Sequence, residues 1–193
     1  MISAPNLSWC SRFNVWVIAS CLPMLAAAET PRMFATRVDI PERGEVPGYL
    51  CVLGTNKFSF ITPMGWKPEA RLDRREVIFI SPDLDSSLTL KLSETTQIPT
   101  GKEIREMLLQ RFPNAALVDR FNCYAANETG RGYVLEQKAA AKGRVRVRYG
   151  IIPVPGGTAE FILRAPATRM PDLHLVYGRF LGSFHVQAHR RRA

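Results

Sequence analysis

The residues best placed to do chemistry are the arginines of Arg144-Val145-Arg146-Val147-Arg148-Tyr149, a strict two-residue alternation. On a strand, that period sets the three guanidiniums on one face, roughly 6.6 Å apart, with Val145, Val147 and Tyr149 on the other. Guanidinium makes paired hydrogen bonds to carboxylate and phosphate, so the stripe suits a linear polyanion, a phosphate or the acidic edge of another protein. The same residues also fit a solvated face held by cross-strand pairs: a hairpin closing Lys138 opposite Arg144 would set Glu136 opposite Arg146. Trp66 follows the turn-like Pro63-Met64-Gly65 and is either an exposed docking aromatic or a core or rim residue.

The remaining reactive side chains form no catalytic set. Cys51 and Cys123 lie 72 positions apart; they are either a disulfide worth roughly 4 kcal/mol or two buried thiols. Neither belongs to a CxxC or a Cys/His ligand spacing, so no metal is expected. His185 and His189 have the i, i+4 spacing of helical metal ligands, but Arg190–Arg192 would repel a cation. His174 reads as exposed, and Cys123 has every histidine at least fifty positions downstream. Asp83, Asp85, Ser87 and Glu94 mimic a calcium loop, yet Leu88 replaces its essential glycine, so Asp83–Ser87 reads as a polar turn. No nucleophile elbow, phosphate loop, dinucleotide fingerprint or HExxH occurs, and no cofactor is expected. Binding is favoured over catalysis.

The elements that must position these residues follow from period. Tyr49–Leu53, Lys57–Ile61, Glu76–Ser81 and Ser87–Leu92 read as strands, with Val77-Ile78-Phe79-Ile80, apolar throughout, as the middle of the sheet. Thr100 and Glu103 form a capping box that opens a helix carrying Ile104, Met107, Leu108 and Phe112 on one side. A meander follows over 116–125, 132–138, 144–152 and 158–165, then a second helix from Pro171 bearing Leu173, Val176, Tyr177, Phe180, Leu181 and Phe184. The expected fold is α+β: a single antiparallel sheet with two main helices packed on it, forming one domain over 49–186. Residues 29–48 are expected as an extended lead-in and 187–193 as a basic disordered tail.

The first 28 residues set the compartment. Arg12, the apolar run from Phe13 through Leu25, and Ala26-Ala27-Ala28 read as a cleavable secretory signal. The run is short against the about 20 residues of a bilayer span, and Pro23 interrupts it. Ile18-Ala19-Ser20-Cys21 offers the alternative of a lipoprotein acylated at Cys21, though apolar residues continue past the cysteine. The expected location is periplasmic or extracellular, with no transmembrane span after cleavage. Loss of Arg12 would leave a charge one unit below the chain's +9. That balance suits an acidic envelope protein or anionic surface, and export puts nucleic acid last among the polyanions.

Two short motifs carry a family resemblance. Phe58-Ser59-Phe60-Ile61-Thr62-Pro63-Met64-Gly65-Trp66 resembles the entry motif of the PsbP-like superfamily, a strand running into proline and then Gly-Trp. Phe180-Leu181-Gly182-Ser183-Phe184 is similar to that group's closing helix, so the resemblance spans about residues 57–186. It implies a PsbP-like sandwich, an antiparallel sheet with helices against its faces, and a binding role. Thylakoid-lumen members attach to photosystem II as extrinsic subunits, and many bacterial members are exported or lipid-anchored.

Overall fold

The computed structural model describes residues 32–40, 44–53, 56–71, 74–139 and 143–187. Strands β1 (Arg32–Ile40), β2 (Gly44–Leu53), β3 (Asn56–Phe60) and β11 (His185–Gln187) make a four-stranded sheet in the order β1-β2-β3-β11. The larger sheet contains β4 (Lys67–Arg71), β5 (Glu76–Ile80), β6 (Ser87–Ser93), β7 (Ala115–Ala125), β8 (Glu128–Ala139), β9 (Gly143–Val154) and β10 (Gly157–Pro166). Its order is β4-β5-β6-β10-β9-β8-β7, and every pairing is antiparallel. Two helices among the described residues, α1 (Gly101–Arg111) and α2 (Met170–Ser183), complete the α+β fold.

The expectation of a single sheet is therefore corrected to two. The chain changes sheets at Pro63–Trp66, where the Trp66 amide donates to the Pro63 carbonyl at 3.0 Å and Gly65 takes φ +77°. Part of the expected lead-in, residues 32–40 and 44–48, is strand, with Arg32 opposite Val52 and Ile40 opposite Gly44. Val77–Ile80 does not form the middle: β5 is next to the edge, and the central strand is β10, buried from Gly157 to Leu163. The signal segment Met1–Ala28, with Cys21, lies outside the described residues, as do His189 and the arginines of the tail. Among the described residues no helix is long and apolar enough to cross a membrane.

Alternation along the larger sheet divides the core in two. On one face Tyr133, Leu135, Val147, Tyr149, Ile151 and Ile162 pack beneath Ile104 and Leu108 of α1. Both bonds of the Thr100–Glu103 capping box are present, so α1 begins where its cap residues dictate. The opposite face carries Phe79, Leu88, Leu90, Phe161 and Leu163 against α2 and the smaller sheet. Phe180 is the hub, with Phe79, Phe60 and Phe161 ring centres 5.2, 5.7 and 6.1 Å away. Each such buried side chain contributes about 1.5–3 kcal/mol of transfer energy, which holds α2 despite its glycines at 178 and 182.

Candidate binding site

The β8–β9 register puts Lys138 opposite Arg144, Glu136 opposite Arg146 and Val134 opposite Arg148. Arg144, Arg146 and Arg148 therefore share one face of β9, while Val145, Val147 and Tyr149 are buried on the other, the last two in the α1-side core. The arginine face is the one that carries α2, whose His174 meets Arg148.

The three guanidiniums are not equivalent. Glu136 accepts from Arg146 Nε at 2.9 Å and from Arg144 Nη1 at 3.3 Å, so one carboxylate serves two arginines. The Arg146 hydrogen bond, with both arginine charges, holds the Glu136 carboxyl below its usual range. Arg148 has no carboxylate partner among the described residues. Its guanidinium lies 4.0 Å from the Phe121 ring centre and 5.3 Å from that of Tyr177, and Nη1 meets His174 Nδ1 at 2.8 Å. Its Nε is buried with no hydrogen bond, so the side chain sacrifices a hydrogen bond to lie against aromatic faces.

Two glycines make that posture possible. A Cβ at Gly132 would stand 2.3 Å from the Phe121 ring, and one at Gly150 would stand 2.5 Å from Cys123 Sγ and 2.7 Å from the Tyr177 hydroxyl. These bare backbone positions let both rings settle close to the sheet, and Tyr177 is anchored by donating to the Phe161 carbonyl at 3.2 Å. Beside the rings, Val118, Asp119, Val134, Arg146, Arg148 and Met170 line an open groove of about 250 Å³. Arg148 thus presents a positive charge in a groove walled by Val118, Val134 and Met170 together with the charged Asp119 and Arg146.

The other singled-out residues lie elsewhere. Trp66 is only 8% exposed and belongs to the α2-side core, so it is not an exposed docking aromatic. Cys51 and Cys123 are free, which corrects the disulfide expectation. Cys51, on β2, lines a small gap with Ala70, Val77 and Leu90 of β4–β6, whereas Cys123 sits on β7 at the opposite edge of the larger sheet. Burial raises both thiols to about 11, so neither is a thiolate nucleophile at neutral pH. His185 lies on β11 rather than on a helix.

Phe121, Tyr177, His174 and Asp119 belong to the site, and neither motif nor period in the sequence marks them as its members. One signal was available: extending the Lys138–Arg144 register puts Gly132 opposite Gly150, a gap in the face that something must fill.

No protein-family model matches the chain, and no curated protein matches its sequence. Among solved structures it is similar to cyanobacterial PsbP (CyanoP) from Synechocystis sp. PCC 6803, with TM-score 0.53 at 14% identity over 88% of this chain and 99% of that one. It also matches LpqN of Mycobacterium tuberculosis, described as involved in cell envelope biogenesis, with TM-score 0.46 at 13% identity over 81% of this chain and 92% of that one. The chain therefore has a PsbP-like fold, a likeness of structure alone.

Proposed function

We propose that this chain is an exported, non-catalytic accessory domain of the cell envelope that docks another protein against the basic face of β9. The observation that carries this reading is Arg148, held rigid by Phe121, Tyr177 and His174 beside an open groove and neutralised by no carboxylate among the described residues. A preorganised arginine set beside apolar side chains, here Val118, Val134 and Met170, supports a protein-docking anchor, because arginine is among the residues that dominate the energetics of such surfaces. The alternative, an anionic small molecule, lipid or polymer bound along the stripe, draws on the same charge. It is weakened where Arg144 and Arg146 are already tied to Glu136, which breaks a continuous row of free guanidiniums.

The test is in-cell crosslinking and capture of the exported protein, beside a variant with Arg144, Arg146 and Arg148 changed to Ser. Capture of a discrete protein by the wild type, lost in the variant, is the expected result. Capture of no protein by either form would overturn the docking reading and turn the search to anionic ligands, whose affinity should fall steeply with salt.

A further inference from the structure

The larger sheet ends on β7, an 11-residue strand that pairs only with β8 among the described residues. Its backbone groups facing away from β8 have no strand partner, the arrangement that an extended segment of another chain can complete. Of the devices that blunt an exposed edge, Ala115–Ala125 lacks lysine and proline but carries a bulge and the pair Asp119-Arg120, in which the Asp119 carboxylate accepts from the Arg120 amide at 2.7 Å. Its one irregularity is a bulge between Leu117 and Asp119, which leaves Val118 half exposed at the rim of the groove.

Arg148 meets a side chain of this edge although it starts two strands away. Because Gly132 has no side chain, the ring of Phe121, a residue of β7 itself, lies over β8, and the Arg148 guanidinium rests on that ring 4.0 Å from its centre. On a strand added outside β7, alternate side chains would point to the same face, past Val118 and Val134 toward that guanidinium. An acidic side chain there would meet a charge already partly stripped of water, where a hydrogen-bonded ion pair is stronger than at an open surface. Asp119 lines the same groove and disfavours a dense run of acids. The chain's own tail, with Arg190–Arg192, carries the wrong sign for this seat.

We infer that β7 is a docking edge for an extended segment of a partner protein, which adds as a strand and seats a single carboxylate on Arg148. This rests on the docking reading above and supplies the partner's chemistry.

The experiment is selection of displayed random heptapeptides on the full-length chain, with Arg148→Gln and Val118→Pro as parallel targets. The first removes the charge, and the second obstructs the edge while leaving the arginine. Circular dichroism checks that both fold. Enriched peptides should carry one Asp or Glu among β-branched residues and protect β7 amides from hydrogen exchange. They should bind at least about tenfold more weakly to Arg148→Gln, the loss expected for one charge-assisted contact of about 1.4 kcal/mol. Enrichment without acids, or peptides indifferent to Arg148→Gln, would overturn the inference. A protein crosslinked in cells by both wild type and Arg148→Gln would also overturn it while leaving the docking reading intact, whereas capture of no protein would remove the reading itself.

Discussion

Gly132→Ala isolates the packing on which the binding face depends. Gly132 lies outside the left-handed region, so alanine suits its backbone. The three nearest atoms to an added Cβ, at 2.3, 2.4 and 2.6 Å, all belong to the Phe121 ring. That ring has little freedom to retreat, with Arg148 against it at 4.0 Å and Tyr177 meeting it at 82° with ring centres 6.4 Å apart. Overpacking of this kind costs about 1–3 kcal/mol. Replacing a strand glycine by alanine returns about 0.5–1 kcal/mol by restricting the unfolded chain. The net destabilisation in the wild-type background is therefore about 0–2.5 kcal/mol. In a Phe121→Ala background the clash is gone, and the same substitution should be neutral or stabilising by up to about 1 kcal/mol. Urea unfolding of the four proteins in this cycle measures the coupling, expected at about 1–3 kcal/mol, with unchanged m-values confirming a common unfolding transition. If Gly132→Ala costs the same with and without Phe121, the ring is not held against β8 and the account of the Arg148 platform fails.

Three further outcomes follow from the rest of the fold. Arg111 on α1 donates to Glu160 on β10 at 3.1 Å, and the arginine is a third exposed while the carboxylate is nearly buried. Arg111→Ala, which strands the buried acid, should lower unfolding free energy by about 2–4 kcal/mol, and Glu160→Ala, which leaves an arginine able to reach water, by about 1–2 kcal/mol; the reverse order in urea would refute the pairing. Asp83 accepts from Ser81, Arg169 and the Asp85 amide and is lowered to about 2, chiefly by the Ser81 hydroxyl. Its folded-state value is below its unfolded one, so its stabilisation is present above about pH 4 and disappears as pH falls toward 2; Asp83→Asn should flatten that part of the urea midpoint against pH. Cys51 and Cys123 should resist thiol reagents in the native protein at neutral pH and react only on unfolding, with peptide masses showing no bridge between them.

What was legible in the residues was local. Thr100 and Glu103 announce α1, Leu88-Thr89-Leu90-Lys91-Leu92 announces a half-buried strand, and Lys138 with Arg144 specifies a register that holds over the whole β8–β9 pair. The misses have physical causes. In β1, Val38 is the buried apolar residue among mostly exposed neighbours, so its burial leaves no sustained period. In β4, Pro68 and three charged side chains obscure a strand that survives because it lies at an edge. Val77–Ile80 reads as central because α2-side packing and pairing on both sides demand apolar residues even one strand from the edge. Counting strands cannot reveal a division into two sheets, which is settled by which strands meet across long separations.

The arginine stripe shows the same limit at the scale of a site. Its face and its pairing with Glu136 follow from alternation and one turn, which are short-range facts. The distinction among its arginines does not, because it depends on where α2 lands: His174 and Tyr177 arrive from 26 and 29 positions downstream of Arg148, and Phe121 from 27 upstream. Without them Arg148 would be a third solvated charge worth little to any partner, since a mobile exposed arginine loses entropy on binding and is screened by salt. Fixed on two rings, it has already lost that entropy in folding, and its buried Nε means that part of its desolvation has been met as well. A charge prepared in this way costs the fold stability, and replacing Arg148 by methionine should therefore stabilise the chain while weakening whatever the face binds. A stability reduced in Arg148→Met, measured in urea, would mean that the arginine is held for the fold, and an unchanged one that its posture costs the fold nothing; either refutes the reasoning.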